Sequence, residues 1–287
     1  MPKDLSWCVG KFAYPHGSDK PINFMELKDF MLDDAFDFSH LFLVRTMRRS
    51  VIAEEFSDEG LKSFIERDDA SELASAGAKL LKQIADRSGK RPVVSEVYPG
   101  VGVTYEYMKL MWERDGREPF TYHGIGESAY GRKFITVQAV DQDWRDFSYA
   151  EVDTISIHNI EEMSERSDLL IINLNRHFRS EAAATIDAGA CLAVMKSSVL
   201  VSVRVSESDE EVIRTTIKGI ERRLPALSQI IESFLATGAP WRFKYLPGFD
   251  EGFMLPGANE RAGILLAYVA PGQVEVAGFS ETVKFSN

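Results

Sequence analysis

The chain has little cysteine. Cys8 and Cys191 are far apart and belong to neither a CxxC pair nor a zinc-ligand pattern. That argues against a disulfide framework and a thiolate zinc site, and two idle thiols fit a reducing compartment. No apolar run approaches the roughly 20 residues of a membrane-crossing helix. The opening Met-Pro-Lys-Asp-Leu-Ser-Trp has no apolar signal core, so the expectation is a cytoplasmic protein that does not span a membrane. Net positive charge is also missing. A formal charge of -11 disfavours non-specific nucleic-acid binding and anionic membrane surfaces, although Arg45, Arg48 and Arg49 form a small basic patch. There is no internal repeat, low-complexity tract, nucleophile elbow or phosphate loop with lysine. No spacing of histidines and carboxylates suits a metal ion. What remains is an ordinary globular composition over 287 residues, 45% hydrophobic and 27% charged. That is enough chain for one large domain, or one domain with an appendage.

Residues 1–21 contain Gly10, Pro15, Gly17 and Pro21 and read as an arm or loop. Residues 22–88 read as helical. Leu73, Ala76, Leu80, Leu81 and Ile84 recur at three- and four-residue steps, with Ser71 as the expected N-cap. Ser88-Gly89-Lys90-Arg91-Pro92 breaks the pattern. From there strands and helices alternate. Val93–Val97 is the first strand, Val103–Arg114 a helix and Phe120–Ile125 the second strand. Phe134, Val137, Val140, Trp144 and Phe147 step at helical spacing, which places a helix over 129–147 and the third strand at Thr154–His158. Leu169–Leu174 and Val199–Val205 are the next strands, with a helix over Glu181–Met195 between them. Ser208–Leu235 carries a helical pattern that Pro225 must kink or divide. Trp241–Leu246 and Ile264–Val269 are late strands with no helix between them. This order predicts an α/β fold with a mostly parallel sheet and a hairpin-like end.

The densest chemistry lies in residues 93–103, Val-Val-Ser-Glu-Val-Tyr-Pro-Gly-Val-Gly-Val. An apolar strand carries Glu96, empties into a Pro-Gly-Val-Gly turn and leads straight into a helix. Such a turn lets backbone approach a nucleotide-like ligand closely. Glu127 ends the second short strand, where a carboxylate can hold ribose hydroxyls. The plainer alternatives are a tight strand-to-helix turn and a solvated acid at a strand end.

Residues 93–269 resemble the class I S-adenosylmethionine-dependent methyltransferases. Their first motif, acid-x-Gly-x-Gly-x-Gly and often with proline, is matched by Glu96-Val97-Tyr98-Pro99-Gly100-Val101-Gly102. The resemblance implies a Rossmann-like, seven-stranded, mostly parallel sheet with helices on both faces. It implies S-adenosylmethionine as cofactor. Glu127 falls at the ribose position, His158-Asn159-Ile160 at the adenine position, and Asp168–Asn175 with Arg176-His177-Phe178 at the fourth strand and active-site loop. Glu96, Tyr98, Gly100, Gly102, Glu127, Asn159, Ile160 and Asn173 are then the cofactor-binding candidates. The chain departs from the family at Tyr98, where the first glycine normally stands, and at Asn159, where an acid is more usual. Residues 1–90 are similar to the helical lid or dimer segments of small-molecule methyltransferases, with the cofactor domain over 91–287.

His177 is the candidate general base, since an imidazole at the ligand edge can take a proton from a hydroxyl or amine near neutral pH; the alternative is a helix cap or a partner for Phe178. Asn175 and Tyr105 are substrate-binding candidates, with turn and packing roles as their alternatives. His40 and Tyr14 are candidates from the N-terminal segment. His123 and His158 are expected to be structural residues within strands. The reading is in-line methyl transfer to a small metabolite, with a homodimer through residues 22–88 as the expected assembly. Its rivals are aminocarboxypropyl transfer or cyclisation of the same cofactor, which a Tyr98 ring beside the sulfonium would favour, and a degenerate binding subunit.

Overall fold

The structure, a computed structural model, describes residues 69–99, 102–126, 144–174, 197–207, 212–215, 221–247, 262–271 and 274–283. In chain order the elements are α1 (Asp69–Ser88), β1 (Val93–Val97), α2 (Val103–Arg114), β2 (Thr121–Gly126), β3 (Phe147–Glu151), α3 (Ile157–Arg166), β4 (Leu169–Asn173), β5 (Ser198–Ser206), β6 (Val212–Thr215), β7 (Glu221–Leu224), α4 (Leu227–Ala236), β8 (Arg242–Pro247) and β9 (Ala262–Val269).

Seven strands form one sheet in the order β3-β2-β1-β4-β5-β9-β8. The first five run parallel. β9, slotted between β5 and β8, runs antiparallel to both, so β8 points the same way as the first five. The mostly parallel, seven-stranded Rossmann-like fold that the resemblance implies is the one observed. The strand order reverses at β1 and β4, and in such sheets the crevice at the carboxyl ends of those two strands receives the ligand.

The sheet is covered on both faces, which is why its central strands read as unbroken apolar runs rather than alternating ones. On one face Leu73, Leu80 and Leu81 of α1 and Met108 of α2 cluster with Val94, Leu169, Ile171 and Leu200. On the other, Ile160 of α3 and Leu227 and Phe234 of α4 cluster with Val97, Leu170, Ile172, Val199 and Phe243. Successive residues of β4 thus serve opposite cores, as a strand requires. The expected stripe of α1 is confirmed: Leu73, Ala76, Leu80 and Leu81 are buried. The helix begins at Asp69, ahead of Ser71.

Two expectations are corrected. The third strand is Phe147–Glu151, not Thr154–His158. Phe147 opposes Tyr122 across the ladder and stacks on it, with ring centroids 5.3 Å apart. The residues assigned to that strand instead open α3. Ser156 and Asn159 form a reciprocal capping box, and a helix start with that box overrides a short apolar pattern. Phe147 therefore leaves the helix expected over 129–147, whose residues 129–143 lie outside the described ones. His158 is in α3, not in a strand.

The second correction concerns Ser208–Leu235. Val212–Thr215 and Glu221–Leu224 pair as an antiparallel ribbon, and among the described residues of this stretch the helix is confined to Leu227–Ala236. β-Branched Val212, Ile213 and Thr215 suit a strand. Pro225 ends the ribbon, and its carbonyl accepts from the Ser206 amide, 2.9 Å away. The helices expected over 22–68 and 181–195 lie outside the described residues.

Candidate cofactor site

The site is built from the carboxyl ends of β1 and β4 and the turn into α2. Glu96 is fully buried. Its Oε1 accepts from Thr104 Oγ1 at 2.9 Å and from Asn173 Nδ2 at 3.3 Å, and its Oε2 accepts from the Tyr122 hydroxyl at 2.6 Å. One carboxylate therefore ties β1 to α2, β2 and β4. A carboxylate removed from water is costly unless donors surround it. Here they are hydroxyls and an amide, and Thr104 lies in the first turn of α2, where the helix dipole favours negative charge. Burial first, and then the charge and hydrogen bond of Glu96, hold the Tyr122 phenol well above 10, so it remains a donor.

Tyr98 has φ 62 and is the one residue other than glycine with positive φ among the described residues. This left-handed backbone is what glycine supplies freely. The sequence departs from the glycine motif at Tyr98, but the turn keeps a glycine-like conformation. Its amide donates to the Ile125 carbonyl at 2.8 Å. The side chain is buried in the cluster of Val97, Ile125, Ile155, Ile160 and Ile172. Gly102, with φ 81, is the N-cap of α2, and as a glycine it brings no capping side chain of its own. Helix amides so placed suit close backbone approach of a ligand.

Gly124 of β2 lies in a similarly tight place. A Cβ there would meet Pro99 Cγ at 2.8 Å and the rings of Tyr149 and Phe147 at 3.2 and 3.3 Å. The bare backbone of Gly124 lets the proline of the turn and the Tyr149 ring close over β2, whose last residue, Gly126, immediately precedes Glu127.

Asn173 is 2% exposed, and its Oδ1 has no hydrogen-bond partner. A buried polar atom without a partner is rare and calls for a donor. It lies at the strand-order reversal, one position past the Val97–Ile172 pair. The chain thus offers an orphaned acceptor and a glycine-like turn at the carboxyl edge, which fits a nucleoside carrying a hydrogen-bond donor.

The other candidates are dispersed. Asn159 Oδ1 accepts from the Ser156 amide at 2.9 Å and from its hydroxyl at 2.7 Å, a capping role. Ile160 is buried in the core, 1% exposed. Tyr105 is buried in an aromatic cluster with Phe120, Tyr122, Trp144 and Phe147, its ring centroid within 5.7 Å of each; this is the packing alternative. His158 is exposed, its Nδ1 3.7 Å from Glu161. Gly100, Glu127, Asn175, His177, His40 and Tyr14 lie outside the described residues. Thr104 and Tyr122 are the site residues that the sequence did not disclose. The only signal was a hydroxyl in the first helical turn and a tyrosine on a strand whose neighbours are apolar.

No group of three histidine, cysteine or acidic side chains could hold a metal among the described residues. No described helix is long and apolar enough to cross a membrane. No protein-family model matches the chain, and no curated protein matches it in sequence. Among solved structures, it is similar to the glycopeptide N-methyltransferase MtfA complexed with S-adenosyl-L-methionine, at 14% identity over 69% of this chain and 94% of that one, TM-score 0.41. It is similar to the N-terminal domain of EvdMO1 with S-adenosylhomocysteine bound, at 9% identity over 71% and 82%, TM-score 0.47. A third is the Burkholderia thailandensis 1,6-didemethyltoxoflavin-N1-methyltransferase, at 15% identity over 88% and 93%, TM-score 0.40. The likeness to these proteins is one of fold.

Proposed function

We propose that the chain is an S-adenosylmethionine-dependent methyltransferase acting on a small metabolite. The observation that carries this reading is the turn after β1. Buried Glu96, left-handed Tyr98 and Gly102 at the start of α2 lie where the strand order reverses, beside the orphaned oxygen of Asn173. S-Adenosylmethionine supplies a methyl group on a sulfonium, an electrophile that needs no covalent help from the protein. The work left to this chain is to bind, align and exclude water. Gly100, Gly102 and Asn173 hold the nucleoside and its tail, braced from behind by buried Glu96, and Glu127 takes the ribose hydroxyls. Asn175, His40 and Tyr14 face the acceptor, and His177 removes its proton where one must leave. The chain works as a cytoplasmic homodimer, with residues 1–90 forming the lid or dimer segment.

Methyl transfer is preferred to aminocarboxypropyl chemistry because the Tyr98 ring, which would favour the latter beside the sulfonium, is 3% exposed within an apolar cluster. Calorimetry with S-adenosylmethionine and S-adenosylhomocysteine tests the reading, followed by mass analysis of the spent cofactor with a panel of small acceptors. Micromolar binding and S-adenosylhomocysteine as product are expected. Methylthioadenosine as product would move the assignment to the other bond, and no binding would leave a scaffold.

A further inference from the structure

The β6–β7 ribbon carries a charge arrangement that strand pairs avoid. Its register sets Val212 opposite Leu224, Ile213 opposite Arg223, Arg214 opposite Arg222 and Thr215 opposite Glu221. Directly opposed residues of an antiparallel ladder share a face, and faces alternate along each strand. One face therefore takes Val212, Arg214, Arg222 and Leu224, and the other takes Ile213, Thr215, Glu221 and Arg223. The acid of the ladder, Glu221, falls on the face that the opposed arginines do not share, and Asp209, Glu210 and Glu211 precede the ladder. Like charges at directly opposed positions destabilise a sheet. A local rule broken in this way marks a functional position when a ligand offsets it.

The ribbon stands where a ligand would meet it. β4 ends at Asn173, opposite Ser202, and β5, parallel to it, runs on to Ser206. The chain leaves β5 there and comes back beside it: Ser206 bridges Ala226 in parallel, and its amide donates to the Pro225 carbonyl at 2.9 Å. The ribbon is thus rooted at the carboxyl end of β5, the strand next to β4, on the ligand-bearing side of the sheet. Arginine forks match the oxygens of carboxylates and phosphates bidentately. Two cations balance a phosphate monoester, which carries about -1.5 to -2 near pH 7, better than they balance a monocarboxylate.

We propose that Arg214 and Arg222, set opposite each other by the β6–β7 register at the carboxyl end of β5, bind the phosphate group of a phosphorylated acceptor metabolite. The assignment rests on the methyltransferase reading and adds the acceptor's chemical class to it. Capture of an anion away from the reacting atom contributes affinity and orientation, and leaves the other end of the acceptor to meet the methyl group.

Phenyl phosphate, benzoate and phenol share a ring and differ in charge. Calorimetry on the full chain titrates each into wild type, Arg214→Gln, Arg222→Gln and Arg223→Gln, with S-adenosylhomocysteine in parallel. Wild type should bind phenyl phosphate, bind benzoate at least about tenfold more weakly, and bind phenol not measurably. Arg214→Gln and Arg222→Gln should each weaken phenyl phosphate about ten- to hundredfold, the range of a hydrogen bond to a charged group, and Arg223→Gln, on the other face, less than about twofold. Without any anion, Arg214→Gln and Arg222→Gln should melt about 1–3 °C above wild type, because the opposed charges are gone. Equal losses in all three variants, or equal binding of phenol and phenyl phosphate, would overturn the assignment. So would a lower melting point in both Arg214→Gln and Arg222→Gln, since the chain's own acids would then be satisfying the pair. Wild type that takes S-adenosylhomocysteine but not phenyl phosphate would overturn this assignment alone. Wild type that takes phenyl phosphate but not S-adenosylhomocysteine would remove the methyltransferase reading, and the acceptor role with it.

Discussion

The Tyr122 hydroxyl donates to Glu96 Oε2 across 2.6 Å, and both side chains are fully buried. β2 and β1 are thereby joined by a side-chain bond as well as by their ladder, directly beneath the ligand edge. Removing the hydroxyl leaves a buried carboxylate oxygen short of a donor. Tyr122→Phe should therefore cost about 1–3 kcal/mol of stability, read from urea unfolding. A cost near zero would mean that water replaces the phenol, and that the interior there is wetter than the packing indicates.

Tyr98 poses two opposed effects. Its left-handed backbone stores about 1–3 kcal/mol that glycine would relieve. Its ring, 3% exposed, is worth about 3–5 kcal/mol when deleted from a core. The ring outweighs the backbone, so Tyr98→Gly should lower stability by about 2 kcal/mol despite restoring the glycine motif, the difference of the two ranges. Thermal melts of Tyr98→Gly against Tyr98→Ala, which loses the ring but keeps the β-carbon, separate the terms. A stabilised glycine variant would show that backbone strain dominates.

Gly124→Ala places a methyl 2.8 Å from Pro99 Cγ and 3.2 Å from the Tyr149 ring. Pro99 cannot swing away without moving the turn. Overpacking of this kind costs about 1–3 kcal/mol, and nucleoside affinity should fall along with stability. A variant that binds and melts like wild type would show that the turn is not pinned against β2.

His123 Nδ1 lies 2.5 Å from Ser148 Oγ, and burial first, then the charge of Arg166, hold its imidazole below 6.5. The folded state resists the proton that the unfolded chain accepts. The contribution of His123 to stability is complete above about pH 6.5 and is lost as pH falls through its lowered folded value. Unfolding midpoints should decline from about pH 7.5 to about pH 5, and decline less in His123→Gln. Parallel profiles for the two proteins would clear His123 of the effect.

His177→Ala should leave S-adenosylmethionine affinity intact and slow turnover about 10²–10⁴-fold, the usual worth of a general base. Single-turnover rates across pH on the best acceptor would show it, with the fall in rate on the acidic side lost in the variant. Unchanged turnover removes the base role.

Sequence periodicity placed β1, α2 and β4 to within a residue, because long apolar runs buried on both faces have few alternative structures. It misplaced β3, since Phe134 to Phe147 satisfies helical spacing while Phe147 is claimed by stacking on Tyr122 from another strand. It missed the β6–β7 ribbon for a similar reason: a helical count of apolar positions carries no information about which distant segment will pair with it. Glu96 and the turn were legible as chemistry, since acids are rare in central strands and glycines are rare at a strand end without a purpose.

The one-dimensional chain decided that a mostly parallel sheet would form and that a carboxylate would stand near the carboxyl end of its first strand. Local propensity and burial period are properties of neighbouring residues, and they suffice for that much. Only the folded arrangement decided that Thr104, Tyr122 and Asn173 would converge on Glu96, that Asn173 would keep an unsatisfied oxygen, and that Tyr98 would take a glycine's backbone while burying its ring. Those outcomes depend on contacts between residues 8 to 77 positions apart, which strand pairing creates and no local pattern encodes.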